Sequence, residues 1–406
     1  MTASSQRLPD LQVDPSPPRS SIVLVVLDGL GGLPHAETGR TELETAQTPH
    51  LDALAARASL GMLEMVAPGV TPGSGPGHLA LFGYDPLTTV IGRGLLSALG
   101  VGIDLRPGDV AARLNFATFD AEGRVTDRRA GRPSDAEAHR VIDRVMAGLK
   151  PPAGVEVSLH AEKEHRVVLR VRGEQLAAAL TDTDPLVTGV PDLPCEALDA
   201  ASARTAEIVG DTLAQVRTLL ADEPALNGFL ARGFAAYEPI PTQHERFGLR
   251  GLAFAKYPMY RGVAKLVGMQ VPAVPGSAEE TITLLEQHWG EHDLYFVHFK
   301  DTDTCGHDGD FAGKVAAISE IDALMPRITA LNPDVLIVTG DHSTPAIYGE
   351  HSWHHVPVLL ASRWARPSAT SFGESTCRGG DLGTLRACDL MGLALAHAGR
   401  LVKYGA

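Results

Sequence analysis

The stretch SIVLVVLDG, Ser21–Gly29, decides the fold: an uncharged run rich in β-branched residues ends abruptly at Asp28-Gly29. A short apolar run with no polar alternation is the pattern of a strand buried on both faces of a sheet. Two later segments repeat the design. LYFVHF (294–299) runs into Lys300-Asp301-Thr302-Asp303, and DVLIVT (334–339) runs into Gly340-Asp341-His342. A further apolar run, VPVLLA (356–361), follows closely on His351. Helical periodicity at 47–59, 279–289 and 311–329 lies between these runs, giving the alternation of an α/β, doubly wound sheet. Such sheets collect ligands beyond the carboxyl ends of their parallel strands, so Asp28, Asp303, Asp341 and His342 are expected to converge.

At 406 residues the chain exceeds what one hydrophobic core serves, and two domains are expected. The Pro-rich residues 1–20 read as a mobile tail. The apolar segments 155–159 and 166–171 and the helical stretch 201–220 have an α+β texture of their own. The expected organisation is a discontinuous main domain, 21–115 and 270–406, interrupted by a smaller α+β unit at 116–269.

With 35 Lys+Arg against 49 Asp+Glu the net charge is −14, which disfavours nucleic acid as a partner. A small anionic substrate is compatible with that charge, because clustered arginines or bound cations reverse the local field. The 4 cysteines are scattered and form no zinc or disulfide pattern, which points to a reducing cytoplasm. No apolar run approaches the roughly 20 residues that span a bilayer, and the start has no secretory-signal order, so no membrane association is expected.

Asp303 and His307 are spaced to share a helix face or to close on one ion from a Gly-containing loop. Together with Asp341, His342 and His351 they supply the mixed carboxylate and imidazole donors that suit manganese, zinc or related divalent ions. TPGSGPGH (71–78) reads as a loop whose small residues allow close approach to a ligand. Within it Ser74 is the candidate nucleophile. A serine hydroxyl is protonated at neutral pH, and an adjacent dication makes it competent to attack phosphorus. One ion is expected beside Asp28, Asp341 and His342, and a second beside Asp303, His307 and His351. His78 and Asp127 are the acid/base candidates.

The chain also resembles the archaeal-type cofactor-independent phosphoglycerate mutases of the alkaline phosphatase superfamily. The resemblance is carried by VVLDGLGG (25–32), TPGSGPGHLALFGYDP (71–86), IGRG (91–94), GVGIDLRPGDVAARLNFAT (100–118), DRRAGR (127–132), VAKLVGM (263–269), GHDGDF (306–311), TGDHST (339–344) and HSWHHVPV (351–358). It implies an alkaline-phosphatase-like metal domain interrupted by a substrate or lid domain. It implies one metal held by Asp28, Ser74, Asp341 and His342 and another by Asp303, His307 and His351, with Mn²⁺ first and Mg²⁺, Co²⁺ or Zn²⁺ as alternatives. It further implies that Lys256 takes part in catalysis and that Arg128, Arg129, Arg132, Arg93, Arg232 and His78 bind substrate. The implied reaction interconverts 3-phosphoglycerate and 2-phosphoglycerate through a phosphoserine; a metal-dependent phosphatase, another phosphomutase or a non-catalytic metal-binding homologue are the alternatives. The chain departs from the usual pattern at Gly75-Pro76, where many members carry an acidic residue, and at Trp353, His354 and His355.

Overall fold

The computed structural model describes residues 11–405. They divide into two compact units: one takes the residues up to Val90, Pro241–Tyr257 and those from Val267 onward, the other Ile91–Ile240 and Pro258–Leu266.

The first unit is built on a seven-stranded sheet in which Ile22–Leu27 lies between Val335–Thr339 and Leu294–Phe299, parallel to both. Gly251–Phe254 extends it in parallel beyond Leu294–Phe299. On the other side Val356–Ser362 runs antiparallel to Val335–Thr339, followed by Ala58–Glu64 and Gly383–Arg386. Every residue of Ile22–Leu27 is 0% exposed, as expected for a strand covered on both faces. Val23, Val25 and Leu27 share one core with Leu51 and Leu54 of the helix Pro49–Ala55 and with Ile318 and Ile321 of the helix Phe311–Ala330. Each such side chain contributes roughly 1.5–3 kcal/mol by its burial.

The helix expected over 47–59 stops at Ala55, because Ala58, Leu60 and Met62 are taken into the strand Ala58–Glu64. Residues 1–10 of the expected tail lie outside the described residues. The following residues are not a free tail: Val13 bridges Leu401 in antiparallel fashion, and Asp14 N donates to the Arg400 carbonyl. Among the described residues no helix is long and apolar enough to cross a membrane.

The second unit holds a five-stranded antiparallel sheet centred on Val110–Phe119, which pairs with Arg166–Arg172, Gly228–Ala236 and Val125–Asp127; Glu156–Lys163 pairs with Arg166–Arg172. The helices Asp135–Gly148 and Ala203–Leu219 contribute Val141, Val145, Val209 and Val216 to its core. A boundary at 115/116 would cut the central strand. The helices Arg93–Gly100 and Pro258–Leu266 belong to this unit as well, and they approach so closely that a Cβ on Gly262 would stand 2.0 Å from the Leu96 carbonyl oxygen. The unit therefore begins and ends at other residues than 116–269.

Candidate metal centre

Sheet topology brings the polar strand ends together. Asp28 follows Ile22–Leu27 and Asp341-His342 follow Val335–Thr339, so adjacent parallel strands deliver all three to one edge. Asp303 and His307 lie on the short helix Asp301–His307, which follows the neighbouring parallel strand. His351 precedes Val356–Ser362, and because that strand is antiparallel its start lies at the same edge.

Ser74 arrives differently from the expected loop. It is the first residue of the helix Ser74–Leu81, with Gly73 as an extended N-cap. The glycines serve close packing: a Cβ on Gly77 would stand 2.1 Å from the Asp341 carbonyl oxygen, so the helix start can rest against the Asp341 segment only without a side chain there.

Ser74 Oγ lies 3.2 Å from His342 Nε2. Donor atoms of Asp28, Asp341 and His342 all lie within 4.8 Å of one another, and so do those of Asp303, His342 and His351. His342 thus belongs to both groups, and its ring stacks on His351 with centroids 3.7 Å apart. His307 extends the second group, with Nε2 3.7 Å from Asp303 Oδ1. His351 donates through Nδ1 to the Pro72 carbonyl at 2.8 Å, which leaves Nε2 turned toward Asp303 Oδ1 at 3.6 Å. His354 instead meets Ser352 Oγ and stacks on Trp353, and His355 faces Glu64.

A hydrogen-bond chain sets the tautomer of His342. Thr344 Oγ1 donates to Asp303 Oδ1 at 2.7 Å, so it accepts from His342 Nδ1 at 2.9 Å. Nε2 is then the ring nitrogen that faces Ser74 and the carboxylates, the atom free to serve as a metal ligand once it carries no proton.

Asp28 and Asp341 are both 0% exposed and Asp303 is 2% exposed. Asp28 Oδ1, Asp28 Oδ2 and Asp341 Oδ2 receive no hydrogen bond of acceptable geometry, although cationic and imidazole groups stand near them. His342 Nε2 is 3.2 Å from Asp28 Oδ1, His298 Nε2 is 3.3 Å from Asp28 Oδ2, and Lys300 Nζ is 3.1 Å from Asp28 Oδ2 and 2.5 Å from Asp303 Oδ2. Burial pushes the Asp28 carboxyl up, but His298, His342 and Lys300 outweigh it and hold the group well below the ordinary range. Burial likewise opposes the charge on Lys300, and Asp28 and Asp303 more than restore it. Three carboxylates buried beside one another, with acceptor oxygens left without hydrogen bonds, form a donor set that fits divalent cations. His298 and Lys300 were not singled out from sequence; the signals for them are a histidine inside an apolar strand and a lysine at that strand's end.

His78 is 0% exposed, with Nδ1 donating to the Ser74 carbonyl at 2.8 Å and 3.1 Å from Asp341 Oδ2. It supports the serine and the carboxylate from beneath, a position without access to substrate, in contrast to the binding role expected for it. Asp127 accepts from Arg129 N and Gly131 N and so caps the turn in which Ala130, Gly131 and Arg132 all have positive φ. Lys256 Nζ donates to the Gly276 carbonyl at 3.1 Å.

The second unit has its own cationic feature. Arg93, Arg113 and Arg232 line a cavity of ≈ 280 Å³ together with Asp182 and Gly233. Burial lowers the Arg113 pKa and the nearby charges of Arg166, Arg93 and Arg232 lower it further, against an opposing Glu162, so positive charge is crowded around this cavity. Arg113 was not among the residues read from sequence. Arg128 is committed to a bidentate pair with Asp184, at 2.7 and 2.8 Å, whereas Arg129 and Arg132 are exposed.

The loop after Asp28 rests on another buried acid. Glu374 accepts from Gly32 N at 2.9 Å and from the Thr41 hydroxyl at 2.6 Å, and burial pushes its pKa from 4.5 to about 7. The unfolded chain ionises this carboxyl from about 4.5 while the folded chain keeps it protonated to about 7. Stability from this group is therefore complete below the unfolded value and is lost as the pH rises through the folded one, a change of roughly 3 kcal/mol. Glu374→Gln should remove that loss, so the difference in melting temperature between variant and parent should grow in the variant's favour from pH 5 to pH 8.

The parallel-rich sheet and the carboxylates, imidazoles and serine at its edge make this an α/β protein with a candidate two-metal centre. The family model described as 2,3-bisphosphoglycerate-independent phosphoglycerate mutase matches residues 55–226. A Thermus thermophilus protein named as a probable 2,3-bisphosphoglycerate-independent phosphoglycerate mutase is 52% identical over 95% of this chain and 96% of its own length. A Deinococcus radiodurans protein of the same name is 46% identical over 95% of this chain and 96% of its own. The solved structure of the cofactor-independent phosphoglycerate mutase from Thermoplasma acidophilum is similar with a TM-score of 0.71 at 28% identity, covering 93% of this chain and 100% of that one. The chain belongs to the 2,3-bisphosphoglycerate-independent phosphoglycerate mutase family.

Proposed function

We propose that the chain interconverts 3-phosphoglycerate and 2-phosphoglycerate through a phosphorylated Ser74. The observation that carries this reading is Ser74 Oγ, at a helix start and 3.2 Å from His342 Nε2, beside buried carboxylate oxygens that lack hydrogen bonds. The family's name supplies the substrate. Asp28, Ser74, Asp341 and His342 would hold one divalent cation and Asp303, His307 and His351 the other, with His342 close to both; Mn²⁺ is the first choice for this donor set and Mg²⁺, Co²⁺ and Zn²⁺ are alternatives. Bound divalent cations supply positive charge there, lowering the proton affinity of a serine hydroxyl and offsetting charge on phosphoryl oxygens.

The chain's own groups do the rest. Ser74 Oγ gives up its proton as it attacks phosphorus, the bond from phosphorus to the glycerate oxygen breaks, and that oxygen takes up a proton, so the first transfer consumes none. The other glycerate hydroxyl then gives up its proton as it attacks the phosphoserine phosphorus, the bond from phosphorus to Ser74 Oγ breaks, and Oγ takes up a proton and is restored. Throughout, the first-turn amides of Ser74–Leu81 favour negative charge at Ser74. His78 and Thr344 hold the Ser74 main chain and the His342 tautomer. Within the second unit Arg93, Arg232 and the neighbouring Arg113 carry planar fork donors suited to a carboxylate or phosphate, as do Arg129 and Arg132, whereas Lys256 of the first unit would act in catalysis as a compact ammonium. Arg128 acts by fixing Asp184. The 4 cysteines, none in a disulfide, support a reducing cytoplasmic setting.

Product analysis tests the reading. With 3-phosphoglycerate carrying labelled phosphorus and with Mn²⁺ present, the label is expected in 2-phosphoglycerate. Label released mainly as inorganic phosphate would instead assign a phosphatase.

A further inference from the structure

We infer that Lys314 is a positioning residue for the metal centre: its ammonium, sealed inside the first unit, clamps together the loop that follows Asp28 and the loop that follows His342. The inference rests on the metal reading above.

Lys314 projects from the helix Phe311–Ala330 and is 0% exposed. Its Nζ donates to the carbonyls of Gly29 at 2.9 Å, Gly31 at 3.1 Å and Thr344 at 2.8 Å. Three acceptors need three hydrogens, and only the ammonium form of lysine has them. Glu42, also 0% exposed, stands 3.9 Å from Nζ and accepts from Ala346 N at 2.7 Å, so the counter-charge is tied to the same loop.

Around this ammonium three glycines are packed with no room for a side chain. A Cβ on Gly29 would meet Thr344 Oγ1 at 2.6 Å, one on Gly31 would meet Ser343 Oγ at 1.8 Å, and one on Gly306 would meet the Thr344 carbonyl oxygen at 2.3 Å. Thr344 is the joint: its carbonyl is held by Lys314, and its hydroxyl binds both Asp303 Oδ1 and His342 Nδ1. Gly29 is the other end, with its carbonyl on Lys314 and its N–H donating to Asp341 Oδ1 at 3.1 Å. A displacement of either carbonyl therefore moves ligand candidates of both metal groups. An apolar side chain of similar volume would fill the space without the cost of burying a charge, but it would leave the Thr344 carbonyl unpaired and the Gly29 and Gly31 carbonyls with only the Thr344 N–H, at 3.3 and 3.1 Å. With its hydrogens committed to carbonyls, Lys314 adds positive charge near the acidic centre without occupying a ligand position.

The test is Mn²⁺ titration calorimetry of the metal-stripped full chain, run beside urea unfolding of the same samples, for the parent, Lys314→Met and Lys314→Gln. Both variants are expected to bind Mn²⁺ at least about tenfold more weakly, the loss typical when the support of a metal ligand is removed. Glutamine, which keeps two donors, should lose less than methionine. A folded variant that binds Mn²⁺ within about twofold of the parent overturns the clamp, however much unfolding stability it has lost. Should both variants fail to fold, the native chain decides: the ¹⁵Nζ resonance of Lys314 is expected to shift on loading with Mg²⁺, and a resonance that stays in place while Mg²⁺ binds overturns the clamp. A parent that binds neither Mn²⁺ nor Mg²⁺ overturns the metal reading itself, and the clamp with it.

Discussion

Ser74→Ala is expected to lower kcat by at least about 10⁴-fold, the scale seen when a covalent nucleophile is removed and only binding and charge stabilisation remain. The fold should survive the change. Ser74 occupies the first position of the helix Ser74–Leu81 and makes no side-chain cap, so the hydroxyl contributes little to helix stability. Its contact is His342 Nε2 at 3.2 Å, and alanine leaves that imidazole held through Nδ1 by Thr344. The melting temperature should therefore stay near the parent's, and the loss should fall on kcat with only a modest change in KM. Turnover within about tenfold of the parent would remove Ser74 from the chemistry.

Asp341→Asn is expected to weaken divalent-cation binding more than about 100-fold and to abolish turnover at ordinary metal concentrations, because changes one step removed from a metal already cost 10–100-fold. Asp341 is 0% exposed, and its Oδ1 accepts from Gly29 N while Oδ2 faces His78 Nδ1 at 3.1 Å and His342 Nε2 at 3.3 Å. Asparagine keeps an acceptor for Gly29 and removes the charge. Chelation of the parent should reproduce the loss and Mn²⁺ should reverse it, whereas added Mn²⁺ should not restore the variant. Full activity of chelated parent protein would contradict the role given to the carboxylates.

The ends of the strands were legible in the sequence because burial on both faces demands an uninterrupted apolar run, and Asp28, Asp303 and Asp341 stand where those runs break. The convergence of these residues follows from parallel pairing, a property of the strand pattern. Ser74 was legible as a residue but not in its setting: Gly73, Gly75, Pro76 and Gly77 read as a loop, yet Gly77 is needed for contact with Asp341 and the segment is helical from Ser74. His78 illustrates the limit of spacing. Its place on that helix turns it inward beneath Ser74, which depends on how the helix packs and not on its neighbours in the chain. Lys314 and Thr344 act through carbonyls and hydroxyls of loops far away in sequence, and nothing in a helical Lys or a post-strand Thr announces such partners. The commitment of Arg128 to Asp184, 56 residues away, was equally out of reach. The cationic cavity of the second unit was half visible, Arg93 and Arg232 from family motifs and Arg113 only once the strands Val110–Phe119 and Gly228–Ala236 were paired.

In the proposed reaction Ser74 carries the phosphoryl group between the two glycerate oxygens. Mixing the Mn²⁺-loaded enzyme with ³²P-labelled 3-phosphoglycerate, quenching in acid within milliseconds and mapping the labelled peptide tests it directly. Label is expected on the peptide containing Ser74, formed before 2-phosphoglycerate accumulates and absent from Ser74→Ala. Steady production of 2-phosphoglycerate with no label on that peptide at any quench time would contradict it.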